Sequence, residues 1–309
     1  MKPSLRIASL ALSILFASGA ALADVNIGVS MSQFDDTYLT YLRESMNDKA
    51  KTYPEGVKLQ FEDARADVVK QLSQVENFIS QKVDAIIVNP VDTATTNRIT
   101  NAAVAAGIPL VYVNRRPDNP DLPQGVATVA SDDLEAGRMQ MQYLAEKMGG
   151  KGNIVILLGD LANNSTTNRT KGVKEVLTKY PDIKIAQEQT GAWLRDKAMT
   201  LTNDWITQGQ AFDAVVSNND EMAIGAAMAL KQAGVAQGKV LIAGVDGTED
   251  GVRAVEKGNL TLSVFQDATG QANGSVETAL KMIKKEPYEQ AVWVPFQRIT
   301  LDNVNQYKK

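Results

Sequence analysis

The chain has 309 residues, with 32 basic and 36 acidic side chains and neither histidine nor cysteine. That composition excludes histidine metal sites, imidazole-activated nucleophiles and disulfides, and the net charge of -4 argues against nucleic acid as a partner. The length suits two domains of ordinary size.

Residues 1–23 have the form of a secretory signal. Lys2 and Arg6 precede the apolar run IASLALSILFASGAALA, and Ala21-Leu22-Ala23 fits an A-x-A cleavage site before Asp24. The run is short for the ~20 residues of a membrane span, so export to the periplasm is expected. Strand-length apolar runs then alternate with helical stretches. VNIGVSM (25–31) precedes an amphipathic helix around 37–51, and VKLQFED (57–63) precedes one near 67–81. DAIIVNP (84–90), a helix near 93–106 and IPLVYVN (108–114) follow. Leu72, Val75, Phe78 and Ile79, spaced by three and four, fall on one helix face.

The series then restarts with GNIVILLGD (152–160), a helix near 166–179, IKIAQEQ (183–189) and a helix near 195–208. DAVVSNN (213–219), a helix at 220–233, KVLIAGVD (239–246), a helix near 249–257 and LTLSVFQ (260–266) complete it. Asp84-Ala85-Ile86-Ile87 and Asp213-Ala214-Val215-Val216 hold matching places. Repeated strand–helix–strand units predict α/β architecture: two similarly built domains, each a parallel sheet with helices on both faces. No Pro- or Gly-rich linker separates them, which points to crossover strands.

In such sheets ligands bind at the carboxyl ends of the strands. The residues placed there are chemically matched: Ser32, Phe34, Asp36 and Tyr38; Asn89; Asn114, Arg115 and Arg116; the stretch from Asn163 to Arg169; Trp193; Asn219 and Asp220; Asp246; and Gln266. Carboxylate, amide and guanidinium groups give and take hydrogen bonds in the two-pronged patterns that vicinal ring hydroxyls need. Phe34, Tyr38 and Trp193 offer flat apolar faces for the C–H side of a ring. Arg115 and Arg169 stand against Asp36 and Asp246, a balance that favours a neutral ligand.

Several of these positions have a second reading. Asp36 can cap the 37–51 helix, Asp246-Gly247-Thr248 can be a turn, Trp193 can be core, and Arg116 can be a solvated arginine. For the 220–233 helix, Asp220 is expected to be the cap and Asn219 to face the ligand. Other chemistries fail. DGTEDG from Asp246 has Lys257 where a calcium loop needs glutamate. No nucleophile elbow, Gly-rich phosphate cradle or conspicuous carboxylate pair for a glycosidase is present. Asn164-Ser165-Thr166 matches a glycosylation acceptor.

IGVSMSQFDDTYLTYLRESM, DAIIVNPVD, GIPLVYVNRRP, SDDLEAGRMQMQYLAEKMGGKGNIVILLGD, NNDEMAIGAAMALKQAG and IAGVDGTEDGVRAVEKG resemble the ribose-binding group of periplasmic sugar-binding proteins, from about residue 25 to 300. Related ligand-sensing regulators carry a DNA-binding motif where this chain is expected to have its leader. The resemblance implies two Rossmann-like lobes joined by three hinge crossings, 24–130 with 267–292 and 131–266 with 293–309, closing on a sugar. It implies a solute-binding component of an ABC importer that serves a membrane permease, with a chemoreceptor as a further partner, and without catalysis, cofactor or metal.

By position, Ser32, Asp36 and Tyr38 match the first-strand contacts and Asn89 an asparagine contact. Arg115 and Arg169 match arginine contacts, although the loop before Arg169 is one residue longer than in the family. Trp193 falls where an aromatic stacks, Asn219 and Asp246 match hydroxyl partners, and Gln266 falls at a hinge. Asn114 stands where ribose binders have aspartate, and Asp36 where they have asparagine. NRRP and Trp193 look more like the inositol and rhizopine branch, which favours a cyclitol, myo-inositol first, with ribose or another aldose second. An exported glycosidase and a ligand-sensing regulator are the rival classes.

Overall fold

A computed structural model describes residues 24–54 and 56–308. The expected leader, 1–23, lies outside the described residues. The first lobe contains β1 (Val25–Met31), α1 (Thr37–Lys51), β2 (Val57–Asp63), α2 (Val68–Gln81), β3 (Ala85–Val88), α3 (Asn97–Ala106), β4 (Leu110–Asn114) and β5 (Val126–Ala130). The second contains α4 (Asp133–Lys147), β6 (Lys151–Leu158), α5 (Asn164–Leu177), β7 (Asp182–Thr190), α6 (Arg195–Thr207), β8 (Ala214–Ser217), α7 (Asp220–Gln232), β9 (Leu241–Asp246), α8 (Glu249–Glu256) and β10 (Leu262–Phe265). The chain returns to the first lobe for α9 (Ala268–Ile283) and β11 (Ala291–Trp293), then to the second for β12 (Gln297–Ile299).

Each lobe has one six-stranded sheet, ordered β11-β5-β4-β3-β1-β2 and β12-β10-β9-β8-β6-β7. Every pairing is parallel except the edge pair of β10 with β12. Parallel strands covered on both faces read as continuous apolar runs, which is what AIIV and AVVS are. In β1, Ile27, Val29 and Met31 pack against α1 and α9, through Leu39, Leu42, Met46 and Val276. Gly28 points to the other face, where a Cβ would lie 2.4 Å from the ring of Phe78 on α2. The matched aspartates repeat one function: Asp84 Oδ2 accepts from Asn26 N at 2.7 Å, and Asp213 Oδ2 accepts from Asn153 N at 2.8 Å. Each ties the start of its β3 or β8 strand to the lobe's first strand.

Sequence reading passed over β5, α4, α9, β11 and β12. The interior of α4 carries Gly137, which weakens a helical pattern. Its reason is packing: a Cβ there would come within 1.9 Å of the Arg169 carbonyl oxygen, and one on Gly172 within 2.1 Å of that of Leu134. The two glycines let α4 and α5 touch backbone to backbone, which places Arg169. Trp293, grouped with the second lobe above, pairs with Ala130 in the first sheet, and Val294 N donates to Ala130 O. The chain therefore passes between sheets near 131–132, 266–267 and 294–296.

Candidate binding cleft

The carboxyl edges of the two sheets face one another, and the turns leaving them are conformationally costly. Asn114 (φ 67), Trp193 (φ 70) and Asp246 (φ 123) have left-handed backbones without being glycine. Such residues cost of order 1–3 kcal/mol each and persist only where surrounding structure dictates them. All three line the same small cavity between the lobes, of about 30 Å³. Asp36, Tyr38, Leu39 and Arg115 complete its first-lobe wall; Ser165, Arg169 and Asn219 complete the opposite one, with Gln266 at the second crossing. A hollow of about 560 Å³ between α4 and α5 lies on the outer face of the second lobe and holds none of these groups.

Ser32, Asn89 and Phe34, among the residues named from sequence, stand outside this lining. Ser32 Oγ donates to Asn89 Oδ1 at 2.7 Å, and Asn89 Nδ2 donates to Val113 O at 3.2 Å and to Asn114 Oδ1 at 3.1 Å. Both are buried in the first lobe, where they hold Asn114 from behind. Phe34 packs against the first lobe's core with the Arg43 guanidinium 4.1 Å over its ring. Arg116 is not free in solvent either, since it stacks 4.7 Å over Trp293.

At the start of α7 the cap is Asn219 and not Asp220, and Asn219 lines the cavity as well. Asn219, extended at φ -146, is the cap: its Oδ1 accepts from Met222 N at 3.0 Å while its Nδ2 donates to Trp193 O at 3.2 Å. Asp220 is the first helical residue, and its carboxylate turns toward β9 instead. It accepts from Gly247 N (2.9 Å), Thr248 N (3.1 Å) and Ser263 Oγ (2.6 Å), fixing the loop that presents Asp246. Asp36 combines both of its readings, capping α1 through Leu39 N at 2.9 Å and lining the cavity.

Arg169 ties the cleft to the hinge. Its Nε donates to Asp133 Oδ1 at 2.8 Å, Nη1 to Asn218 O at 2.6 Å, and Nη2 to Gln266 Oε1 at 3.0 Å. Asp133 follows the first crossing, Gln266 lies on the second, and Phe296 on the third sits 5.9 Å from the guanidinium. Tyr38 OH donates to Gln271 Oε1 at 3.1 Å, and Gln271 Nε2 donates to Ser131 Oγ at 2.8 Å, so a second wall residue also reaches a crossing. Arg115 differs. It is 7% exposed, and the one side-chain hydrogen bond it makes among the described residues is from Nη1 to Pro90 O at 3.0 Å. Ser165 was named from sequence only as part of the stretch from Asn163 to Arg169, and Leu39, which was missed, read as an ordinary apolar position of α1.

The cleft wall sets Asp36 and Asp246 against Arg115 and Arg169, with Asp133 and Asp220 buried behind it. Burial pushes Asp246 well above the usual carboxylate range although Arg169 opposes this, and it raises Asp36 against the pull of the Leu39 amide and Arg115. Burial lowers Arg115, with Asp36 opposing. Burial also lowers Arg169, but Asp133 and Asp246 outweigh it and the net displacement is upward. Asp220 is carried from 3.8 to about 7 by burial, against its hydrogen bonds from Ser263, Thr248 and Gly247.

Each raised carboxyl makes the folded chain hold more protons than the unfolded one between its two pKa values. For Asp220 the resulting stability is fully present below about 4 and is lost as the pH rises through about 7. Asp36 and Asp246 act with the same sign. Asp250, lowered first by its hydrogen bond from Arg195, opposes them only below 3.8. Calorimetric melting should therefore give a melting temperature a few degrees higher at pH 5 than at pH 8, reflecting on the order of 1–4 kcal/mol. A flat or opposite profile would mean the cleft carboxyls are not displaced upward.

The model of the periplasmic binding protein domain matches residues 27–287. The chain belongs to the periplasmic binding protein family. A Rhizobium meliloti protein named "Putative rhizopine-binding protein" is 47% identical over 294 residues, covering 94% of both chains. A xylitol-binding protein of Mycolicibacterium smegmatis is 39% identical over 280 residues, 90% of this chain and 78% of its own length. The crystal structure of an ABC transporter solute-binding protein from Bacillus halodurans with bound myo-inositol superposes with a TM-score of 0.87 at 38% identity, covering 92% of this chain and 96% of the other.

In this periplasmic binding protein the aromatic wall is built as firmly as the polar one. The Trp193 indole lies directly over Gly159, where a Cβ would come within 2.1 Å of the ring. Its Nε1 donates to Asn163 Oδ1 at 3.2 Å, and the Arg169 guanidinium lies 5.8 Å from its centre. The ring presents a fixed apolar face beside groups that hydrogen-bond.

Proposed function

We propose that the protein is the periplasmic solute-binding component of an ABC importer and holds a neutral cyclitol, myo-inositol first, between its lobes. The supporting observation is the cleft between the lobes, in which Arg115, Asp246, Asn114 and Ser165 keep hydrogen-bonding capacity unspent beside the fixed face of Trp193 and which must widen to admit a ring. A ring bearing hydroxyls all round can use that spare capacity, each hydroxyl both donating and accepting. The relatives named for rhizopine and xylitol, and the structure holding myo-inositol, point to the same ligand class. Ligand contacts are assigned to Asp36, Tyr38, Asn114, Arg115, Ser165, Arg169, Trp193, Asn219, Asp246 and Gln266.

A cyclitol has about a dozen heavy atoms, so micromolar binding needs roughly −8 kcal/mol, or about −0.7 kcal/mol per atom. Such efficiency requires engulfment from both sides, followed by reopening at a membrane permease. A chemoreceptor is a further partner, and no catalysis is assigned. A thermal-shift screen of inositols, pentoses and hexoses tests this reading. At a thousandfold excess over Kd, myo-inositol should stabilise by about 4 kcal/mol, a rise of roughly 10 °C. A larger shift with ribose would move the assignment to an aldose, and no shift with any of them would refute it.

A further inference from the structure

Asn163 occupies the N-cap position of α5, yet its side chain makes no capping hydrogen bond. Asparagine is among the best N-caps, so a forgone cap indicates that the amide is needed elsewhere. Asn163 is buried and spends its side chain in two directions. Its Oδ1 accepts from Trp193 Nε1 at 3.2 Å, and its Nδ2 donates across the cleft to Val91 O of the first lobe at 2.9 Å.

The neighbouring residues extend that bridge. Thr93 N donates to Ala162 O at 3.1 Å, and Asn164 N donates to Thr93 Oγ1 at 3.1 Å. Asn164 Nδ2 donates to Arg116 O at 2.8 Å and to Asp118 Oδ1 at 3.0 Å. Residues 162–164 thus lie hydrogen-bonded between the loops that follow β3 and β4. These bonds join one lobe to the other, so opening breaks all of them together. The motif read from sequence as a glycosylation acceptor begins at Asn164, whose amide is committed to this contact.

We propose that Ala162–Asn164 is a clasp that holds the lobes shut, and that Asn163 is a positioning residue coupling the clasp to the Trp193 wall. A ligand that seats the indole leaves Asn163 oriented for Val91 O; a displaced indole releases the clasp. The clasp acts on departure of the ligand, because it forms only after the lobes have met. Its affinity arm rests on the cyclitol reading above, whereas its conformational arm does not.

Asn163→Asp separates the roles. Aspartate caps a helix as well as asparagine does and still accepts from Trp193 Nε1, but it cannot donate to Val91 O and meets that carbonyl with a negative charge. With myo-inositol as probe, stopped-flow tryptophan fluorescence should show the off-rate rising about tenfold and the on-rate changing less than threefold. Asn164→Ala should raise the off-rate in the same direction. The chain has no cysteine, so dyes placed through Val69→Cys and Met228→Cys, at exposed sites on opposite lobes, report lobe separation without any ligand. Asn163→Asp should lengthen that separation. An off-rate within twofold of the parent together with an unmoved dye distance would overturn the proposal. So would a lowered melting temperature with both unmoved, which would make Asn163 merely structural. If the parent fails to bind myo-inositol, the cyclitol reading falls and the dye distance alone decides the clasp.

Discussion

Arg115→Met should cost at least ~100-fold in affinity for the cleft ligand while leaving the melting temperature unchanged or higher. The two halves of that result have one origin. Arg115 is a buried cation with a single side-chain hydrogen bond, to Pro90 O, and Asp36 as its leading opposite charge. Within the folded protein it is therefore an electrostatic liability, and a methionine of similar length relieves it. To a ligand it offers charge-assisted hydrogen bonds worth about 1.5–3 kcal/mol each, so losing two removes roughly 100-fold or more. Titration calorimetry with myo-inositol and a thermal melt of the same sample check both halves. Parental affinity would remove Arg115 from the site, and a large drop in melting temperature would make it a structural residue.

Arg169→Met should behave in the opposite way, lowering stability as much as binding. Its guanidinium compensates Asp133, which is 3% exposed, and also serves Asn218 O and Gln266. Removing one partner of a buried pair leaves an uncompensated charge and costs about 3–5 kcal/mol, or ~10 °C in a protein of this size. Asp133→Asn in the same chain should recover part of that loss, because the stranded charge goes with it. A double variant no more stable than Arg169→Met would show that the pair contributes little. The contrast between the two arginines separates a group held for the ligand from one held for the hinge.

Much of this arrangement is legible in the residue order, for definable reasons. AIIV and AVVS are buried on both faces and so carry no alternation, but their matched aspartates and the helices between them fix a parallel sheet. The polar strand ends were recognisable because nothing in a buried strand calls for Asn114-Arg115 or Asn218-Asn219-Asp220 at its terminus. What sequence could not resolve was one residue's offset. Whether Asn219 or Asp220 caps α7 depends on a backbone angle, and the assignment reversed once φ was known. Nor could it tell a wall residue from the one behind it. Ser32 and Asn89 have the right chemistry at the right strand ends, yet their side chains are consumed in holding Asn114.

The missed elements have a related cause. Gly137 reads as a helix weakener and is instead what allows α4 to meet α5 at the Arg169 carbonyl. The function of Asn163 depends on Val91, 72 positions away in the chain. Long-range pairings of that kind leave no local pattern.

A crystal structure grown with myo-inositol is the most direct measurement of whether these lobes enclose an uncharged hydroxylated ring. The ring should be sealed between the sheets, with its C–H face on Trp193 and its hydroxyls within 2.7–3.1 Å of Arg115, Asp246 and Asn114. A ring bound on an outer surface, or a cleft in which Arg115 and Asp246 face solvent with no density between them, would contradict it.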